Sequence, residues 1–132
     1  METKPSILII EDDPGFLIIL DISLSRVGLE CSKARSVHEA LSYLEKELFD
    51  LILLDLYLDP EINEGQGTQI IRWIRERKVS TKIIVYSGYL ESLDSSLRQT
   101  VFDVISKSES FNVLLSATRK AIGFTPSGGN DG

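Results

Sequence analysis

Short apolar runs alternate along this chain with longer stretches in which apolar residues recur every three or four positions. Runs of the first kind read as strands buried on both faces, and those of the second kind as helices with one buried stripe. Asp50-Leu51-Ile52-Leu53-Leu54 is the clearest strand, bounded by charge and ending at Asp55. Ser6 to Ile10 has the same character and ends in Glu11-Asp12-Asp13. Lys82 to Tyr86 ends at Ser87-Gly88, and Phe102 to Ser106 ends at Lys107. Leu29 to Ala34 is interrupted by Glu30, Ser32 and Lys33, so it belongs nearer an edge.

The helices announce themselves by their ends. Asp13 before Pro14 predicts an N-cap with proline at the first helical position, and Gly28 closes a helix running to about Val27. Its core stripe is Leu17, Leu20, Leu24 and Val27, which leaves Ile18, Ile19 and Ile22 on another side. Ser36-Val37-His38-Glu39 has capping-box form and starts a helix to about Leu48, with Val37, Leu41 and Leu44 buried. His38, the single histidine, falls on the first turn and reads as a surface residue. After Asp55 comes an acidic loop, Asp59-Pro60-Glu61-Ile62-Asn63-Glu64-Gly65, leading through Gly67 into a helix of Ile70, Ile71 and Ile74. The helix expected from about Leu90 to Thr100 is thin, with Leu93 and Leu97 as its stripe and Ser92, Ser95 and Ser96 weakening it. A last helix runs from about Glu109 to Ile122.

Strands alternating with helices predict an α/β fold, a doubly wound parallel sheet with helices on both faces. One domain over residues 1–122 accounts for the pattern, and residues 123–132 have linker composition, expected to be poorly ordered. The 132 residues suffice for one core, and the net charge of −6 without a basic block speaks against phosphate-neutralising nucleic-acid binding. The single cysteine, Cys31, fits a reducing compartment, and the apolar start is too short for a signal peptide or a membrane span. The expectation is a cytoplasmic protein.

In such a sheet chemistry gathers outside the carboxyl ends of the strands. That edge would collect Glu11 and Asp12 after strand one, Asp55 after three, Ser87 after four and Lys107 after five. Converging carboxylates repel by roughly 4 kcal/mol per close pair at an effective dielectric of 20. Raised pKa values or a hard divalent cation on oxygen ligands would offset this. A carboxylate nucleophile, a cation, the Lys107 ammonium and the Ser87 hydroxyl together describe a site that accepts a phosphoryl group, with Gly88 leaving room for it. A paired acidic rim with no chemistry is the bland alternative.

From about Ile7 to Ile122 the chain resembles the response-regulator receiver domains of two-component signalling. The acidic pair matches Glu11-Asp12 in Ile-Ile-Glu-Asp-Asp, and the phosphoacceptor matches Asp55 in Leu-Leu-Asp-Leu. The switch hydroxyl matches Ser87 in Val-Tyr-Ser-Gly, and the lysine matches Lys107 in Val-Ile-Ser-Lys. The resemblance implies five parallel strands in the order 2-1-3-4-5. It implies Mg2+ held by Asp12, Asp55 and the backbone carbonyl of Tyr57, with Glu11 assisting. It further implies a phosphoacceptor rather than an enzyme, served by a histidine kinase or histidine phosphotransfer protein that faces the first helix, where Ile18, Ile19 and Ile22 either make a hydrophobic contact with that partner or are covered by the last helix. No membrane or direct nucleic-acid partner is expected, and a stand-alone receiver or relay intermediate is favoured.

Three departures from the family stand out. The loop after Asp55 is long, with its proline at Pro60; Ser108 follows the lysine where proline is common; and Val104 stands where the family usually has an aromatic ring. A non-proline cis bond costs about 2.5–4 kcal/mol, so Lys107–Ser108 is expected to be trans. With no ring at Val104, Tyr86 and Tyr89 are the candidate moving aromatics, and the segment from Gly88 to Thr100 is the expected route of switching. A flavodoxin-like cofactor protein would need a phosphate cradle where Glu11-Asp12-Asp13 stands, and a haloacid-type phosphatase would need an acid at Tyr57. A receiver-like interaction module that is never phosphorylated is the remaining alternative.

Overall fold

Strand and helix signals fold into one sheet whose strands feed two cores at once. The computed structural model describes residues 4–58, 66–88, 90 and 93–123. Its strands are β1 (Ser6–Ile10), β2 (Glu30–Ala34), β3 (Leu51–Leu54), β4 (Lys82–Ser87) and β5 (Asp103–Ser106). All pairings are parallel and the order is β2-β1-β3-β4-β5, as expected. The helices are α1 (Pro14–Arg26), α2 (Val37–Lys46), α3 (Gln66–Glu76), α4 (Ser95–Arg98) and α5 (Phe111–Ala121). Among the described residues no helix is long and apolar enough to cross a membrane.

Successive side chains on a strand point to opposite faces. Leu8, Ile10, Ile52, Leu54, Ile83 and Val85 therefore join Val37, Ala40, Ile70, Ile71 and Ile74 in one core. Ile7, Ile9, Leu51, Leu53, Ile84, Tyr86 and Ile105 join Leu17, Leu20, Leu24, Leu114 and Ala117 in the other. Each such buried aliphatic stabilises the fold by roughly 1.5–3 kcal/mol. Because both faces are covered, the central strands are apolar throughout rather than alternating. β2 lies at an edge, which is why it tolerates exposed Glu30 and Lys33.

The helix ends follow local chemistry. Asp13 caps α1 by accepting from the amides of Gly15 and Phe16 at 3.0 and 3.1 Å. Gly28 leaves the helix at φ 99°, a left-handed turn that suits glycine. Ile18, Ile19 and Ile22 are 55%, 53% and 49% exposed, so α5 does not cover them, while Val27 is only half-buried. Ser36 accepts from the Glu39 amide, and Glu39 reaches back to the amide of Arg35 rather than to that of Ser36.

Several boundaries differ from the expected ones. α2 stops at Lys46, because Glu47 is extended and the chain must drop Phe49 into the core; Leu48 stays exposed. Its buried residues are Val37 and Ala40, while Leu41 and Leu44 are half-buried beside the edge strand. α4 is a single turn, since Asp94 caps it late by accepting from the Leu97 amide at 2.9 Å. α5 begins two residues later than Glu109, after the Ser110 cap. β4 runs on to Ser87, and β5 begins at Asp103 rather than Phe102. No described peptide bond is cis, so Lys107–Ser108 is trans. The acidic loop at residues 59–65, Tyr89, Ser92 and the tail at residues 124–132 lie outside the described residues.

Gly67 emerges as a packing requirement that the sequence reading treated only as a lead into a helix. A Cβ there would lie 2.7 Å from the Asp55 carbonyl oxygen and 2.8 Å from Leu56 Cα, both backbone atoms that cannot swing aside. Its amide donates to the Leu56 carbonyl at 3.0 Å, so α3 begins pressed against the end of β3. Gly67→Ala is expected to destabilise the fold by about 1–3 kcal/mol, the usual cost of overpacking. Urea unfolding measures this; an unchanged midpoint would mean that the α3 start yields without cost.

Candidate functional site

The sheet register extends one residue past the strands and pins the site. The Glu11 amide donates to the Ala34 carbonyl at 3.0 Å, and that of Asp55 to Ile10 at 3.1 Å. The Lys107 amide donates to the Ser87 carbonyl at 3.1 Å. Four strand ends are thereby held at one edge, and the side chains leaving them converge.

Asp55 is at the centre. Its Oδ1 accepts from the Ser87 hydroxyl at 2.8 Å and from the Tyr57 amide at 3.0 Å. Its Oδ2 accepts from Lys107 Nζ at 2.9 Å. The same ammonium donates to Glu11 Oε1 at 2.8 Å, while Glu11 Oε2 accepts from the Asp13 amide at 3.2 Å. Glu11 and Asp55 are only 3% and 6% exposed, Ser87 is fully buried, and Asp12 is half-buried. Among the described residues, nothing lies within 4 Å of where a Cβ would stand on exposed Gly88. Tyr57 itself is exposed.

The site has an excess of acid. Burial pushes the Glu11 carboxyl up; the Lys107 hydrogen bond opposes this, and the charge of Asp55 adds to it. Burial pulls the Lys107 ammonium down, but its hydrogen bonds to Glu11 and Asp55 and their charges outweigh burial, so it too is raised. The two shifts differ in origin: burial is the main cause at Glu11, and the two carboxylate partners are the cause at Lys107.

A hard divalent cation fits this donor set. Glu11, Asp12 and Asp55 each offer a carboxylate oxygen, and these atoms lie within 4.8 Å of one another. All donors are oxygens, as Mg2+ prefers, and the half-buried Asp12 leaves room for the waters that it retains. All five residues singled out at the strand ends are thus brought together. The carbonyl of Tyr57 enters only through the family resemblance; the structure adds its amide as a partner of Asp55.

Two supports of Lys107 were not read from sequence. Ser106 and Ser108 share a hydroxyl hydrogen bond at 2.8 Å, and the Ser108 amide donates to Ser106 Oγ at 3.1 Å, tying the turn where the family commonly has proline. Phe16, in the first turn of α1, brings its ring to 4.9 Å from Lys107 Nζ and stacks on Tyr86. That stack also corrects an expectation. Tyr86 is 4% exposed and packs with α1 and α5, whereas Val104 packs in the opposite core, so Tyr86 cannot stand in for a ring at Val104.

Since the raised Glu11 carboxyl binds its proton more tightly folded than unfolded, its contribution to stability falls as pH rises above 4.5. In metal-free buffer, the stability of the unaltered protein relative to Glu11→Gln is expected to decline from pH 4.5 upwards and then level off above the folded pKa. Thermal unfolding of both proteins at several pH values checks this; a relative stability that rises over that range would contradict it.

Comparison with known proteins gives a consistent result. The family model for the response regulator receiver domain matches residues 7–119. The chain is 31% identical over 107 residues to the response regulator protein PilR of Pseudomonas aeruginosa, covering 80% of this chain and 23% of PilR. The response regulator TrrA of Thermotoga maritima, solved in complex with Mg2+ and BeF, is similar at TM-score 0.77 and 25% identity, covering 89% of this chain and 98% of that one. A CheY-like receiver domain protein from Methanospirillum hungatei gives TM-score 0.80 and 26% identity, covering 92% and 95%. The chain spans about a quarter of the length of PilR and of several other curated relatives.

Proposed function

The chain belongs to the response regulator receiver domain family, and on that premise we propose that Asp55 accepts a phosphoryl group from a phosphohistidine partner, with Mg2+ as cofactor. The observation that carries this reading is the bonding of Asp55, whose two oxygens are held by Ser87, the Tyr57 amide and Lys107 in a buried pocket. Such a carboxylate is fixed in orientation before its partner arrives, which is most of what phosphoryl transfer asks of a protein.

Asp55 Oδ2, whose partner is the Lys107 ammonium, is the attacking oxygen. It forms the new O–P bond as the N–P bond of the phosphohistidine breaks, and the imidazole departs with the electron pair and takes up a proton. Lys107 carries three N–H donors and can turn one to a phosphoryl oxygen while keeping Glu11. The Ser87 hydroxyl can leave Oδ1 for another phosphoryl oxygen. Asp12, Asp55 and the Tyr57 carbonyl would hold Mg2+, with Glu11 alongside, and the ion would neutralise charge between the carboxylates and the phosphoryl oxygens. The Mg2+ in the TrrA complex supports this assignment.

The partner is a histidine kinase or histidine phosphotransfer protein. The exposed face of Ile18, Ile19 and Ile22 on α1, the helix whose first turn meets Lys107 through Phe16, suits a hydrophobic contact with it. The chain acts as a regulatory phosphoacceptor rather than as an enzyme turning over a substrate.

Exposure to a small phosphodonor with Mg2+ is expected to add one phosphoryl group by intact mass, with none added in EDTA or in Asp55→Asn. Equal modification of the Asn variant would overturn the assignment and leave a non-phosphorylated interaction module as the better reading.

Switching follows from Val104 and α4. Val104 is β-branched and stiff, whereas α4 is one turn held by Asp94 and the half-buried Leu97. A phosphoryl mimic at Asp55 is expected to change amide exchange at Leu93 to Thr100 more than at Val104 to Ser106. The reverse pattern in a hydrogen-exchange measurement would place the response on β5.

A further inference from the structure

Lys107 has a third neighbour besides its two carboxylates. Phe16 stands in the first turn of α1, where the Asp13 side chain accepts its amide hydrogen at 3.1 Å. Its ring centroid is 4.9 Å from Lys107 Nζ, close enough for the negative ring face to attract the ammonium. The ring is itself braced. It stacks on Tyr86 with centroids 6.0 Å apart and planes at 29°, and Tyr86 is buried immediately before Ser87. Glu11, Asp13, the ring and the lysine thus form one unit: Asp13 fixes the backbone of Phe16, Glu11 and Phe16 hold Lys107, and Lys107 meets Asp55.

A lysine stem is long and flexible, and its ammonium has no preferred geometry of its own. When Asp55 becomes an acyl phosphate, the Lys107 bond to Oδ2 must give way to one with a phosphoryl oxygen. The aromatic contact uses no lone pair of Asp55, so it can persist through that exchange.

We infer that Phe16 is a positioning residue, whose ring holds the Lys107 ammonium in place as its hydrogen bond passes from Asp55 to the phosphoryl group. This rests on the phosphoacceptor reading of Asp55. Nothing in the acid, hydroxyl and lysine pattern requires an aromatic residue at this position. It follows from the contact between α1 and the turn after β5.

The test uses the full chain and three proteins: unaltered, Phe16→Leu and Phe16→Tyr. In the first readout, proton NMR follows the Lys107 ε-methylene group, assigned with Lys107→Arg. The ring over the ammonium should displace those protons upfield; the displacement should vanish in Phe16→Leu and persist in Phe16→Tyr. A merely structural role for the side chain would not produce that pattern. In the second, the rate of phosphoryl uptake from a small phosphodonor with Mg2+ should fall in Phe16→Leu by about 2- to 30-fold, as loss of a cation–π contact implies. Phe16→Tyr should restore it. Unchanged ε-proton shifts in Phe16→Leu, or uptake at the unaltered rate, would overturn the role given to Phe16 while leaving Asp55 as phosphoacceptor. No uptake by the unaltered chain would instead overturn the phosphoacceptor reading, and with it the handover assigned to Phe16.

Discussion

Every central strand of this sheet is covered on both faces, and that constraint decides where charge can go. A carboxylate within β1 or β3 would have to enter one of the two cores, where an unpaired charge is strongly disfavoured. In β1 and β3 acidic and basic groups can stand only at the strand ends, and parallel strands all stop at the same edge. The ladder then continues for one more residue at Glu11, Asp55 and Lys107, so the site inherits the rigidity of the sheet. The same packing reaches Gly67, where α3 starts so close to β3 that no side chain fits between them.

Concentrating acids at one edge leaves an electrostatic debt that the described side chains meet only in part. Lys107 bridges Glu11 and Asp55 at 2.8 and 2.9 Å, yet Glu11 remains harder to ionise than usual. A site in this condition favours an added cation, and with the cation present it can receive an anionic group. Under the proposed function, the excess of carboxylate is what the cation would answer. Three separate contacts position Lys107. The Ser106–Ser108 hydroxyl pair shapes the turn, the backbone bond to Ser87 fixes its start, and the Phe16 ring guides the far end.

The two sides of the sheet have different roles beyond the site. On the α1 and α5 side, Tyr86 and Ile105 are buried, and the partly buried Phe16 packs against them beside the lysine. On the other side, Val104, Leu97 and Val101 are only partly buried, and α4 is a single turn. A change in hydrogen bonding at Ser87 meets stiff packing on the first side and yielding packing on the second. Motion should pass to the side where less apolar contact is lost.

Much of the fold was legible from local signals. Apolar runs marked the strands, Asp13-Pro14 and Ser36 marked helix starts, and Gly28 marked an end, because these depend on backbone chemistry within a few residues. The five strand-end residues were legible because parallel topology brings carboxyl ends together whatever the details of packing. What sequence could not supply were the contacts between elements distant along the chain. The short α4 reflects where Asp94 caps, and the half-burial of Leu41 and Leu44 reflects their place beside an edge strand. The opposite faces of Tyr86 and Val104 follow from register, which exists only once β4 and β5 are paired. Phe16 and Gly67 carried no signal of their own: one is an aromatic in an apolar helix, the other a glycine before a helix. Their roles come from the distance between two elements, and a tertiary structure alone sets that distance.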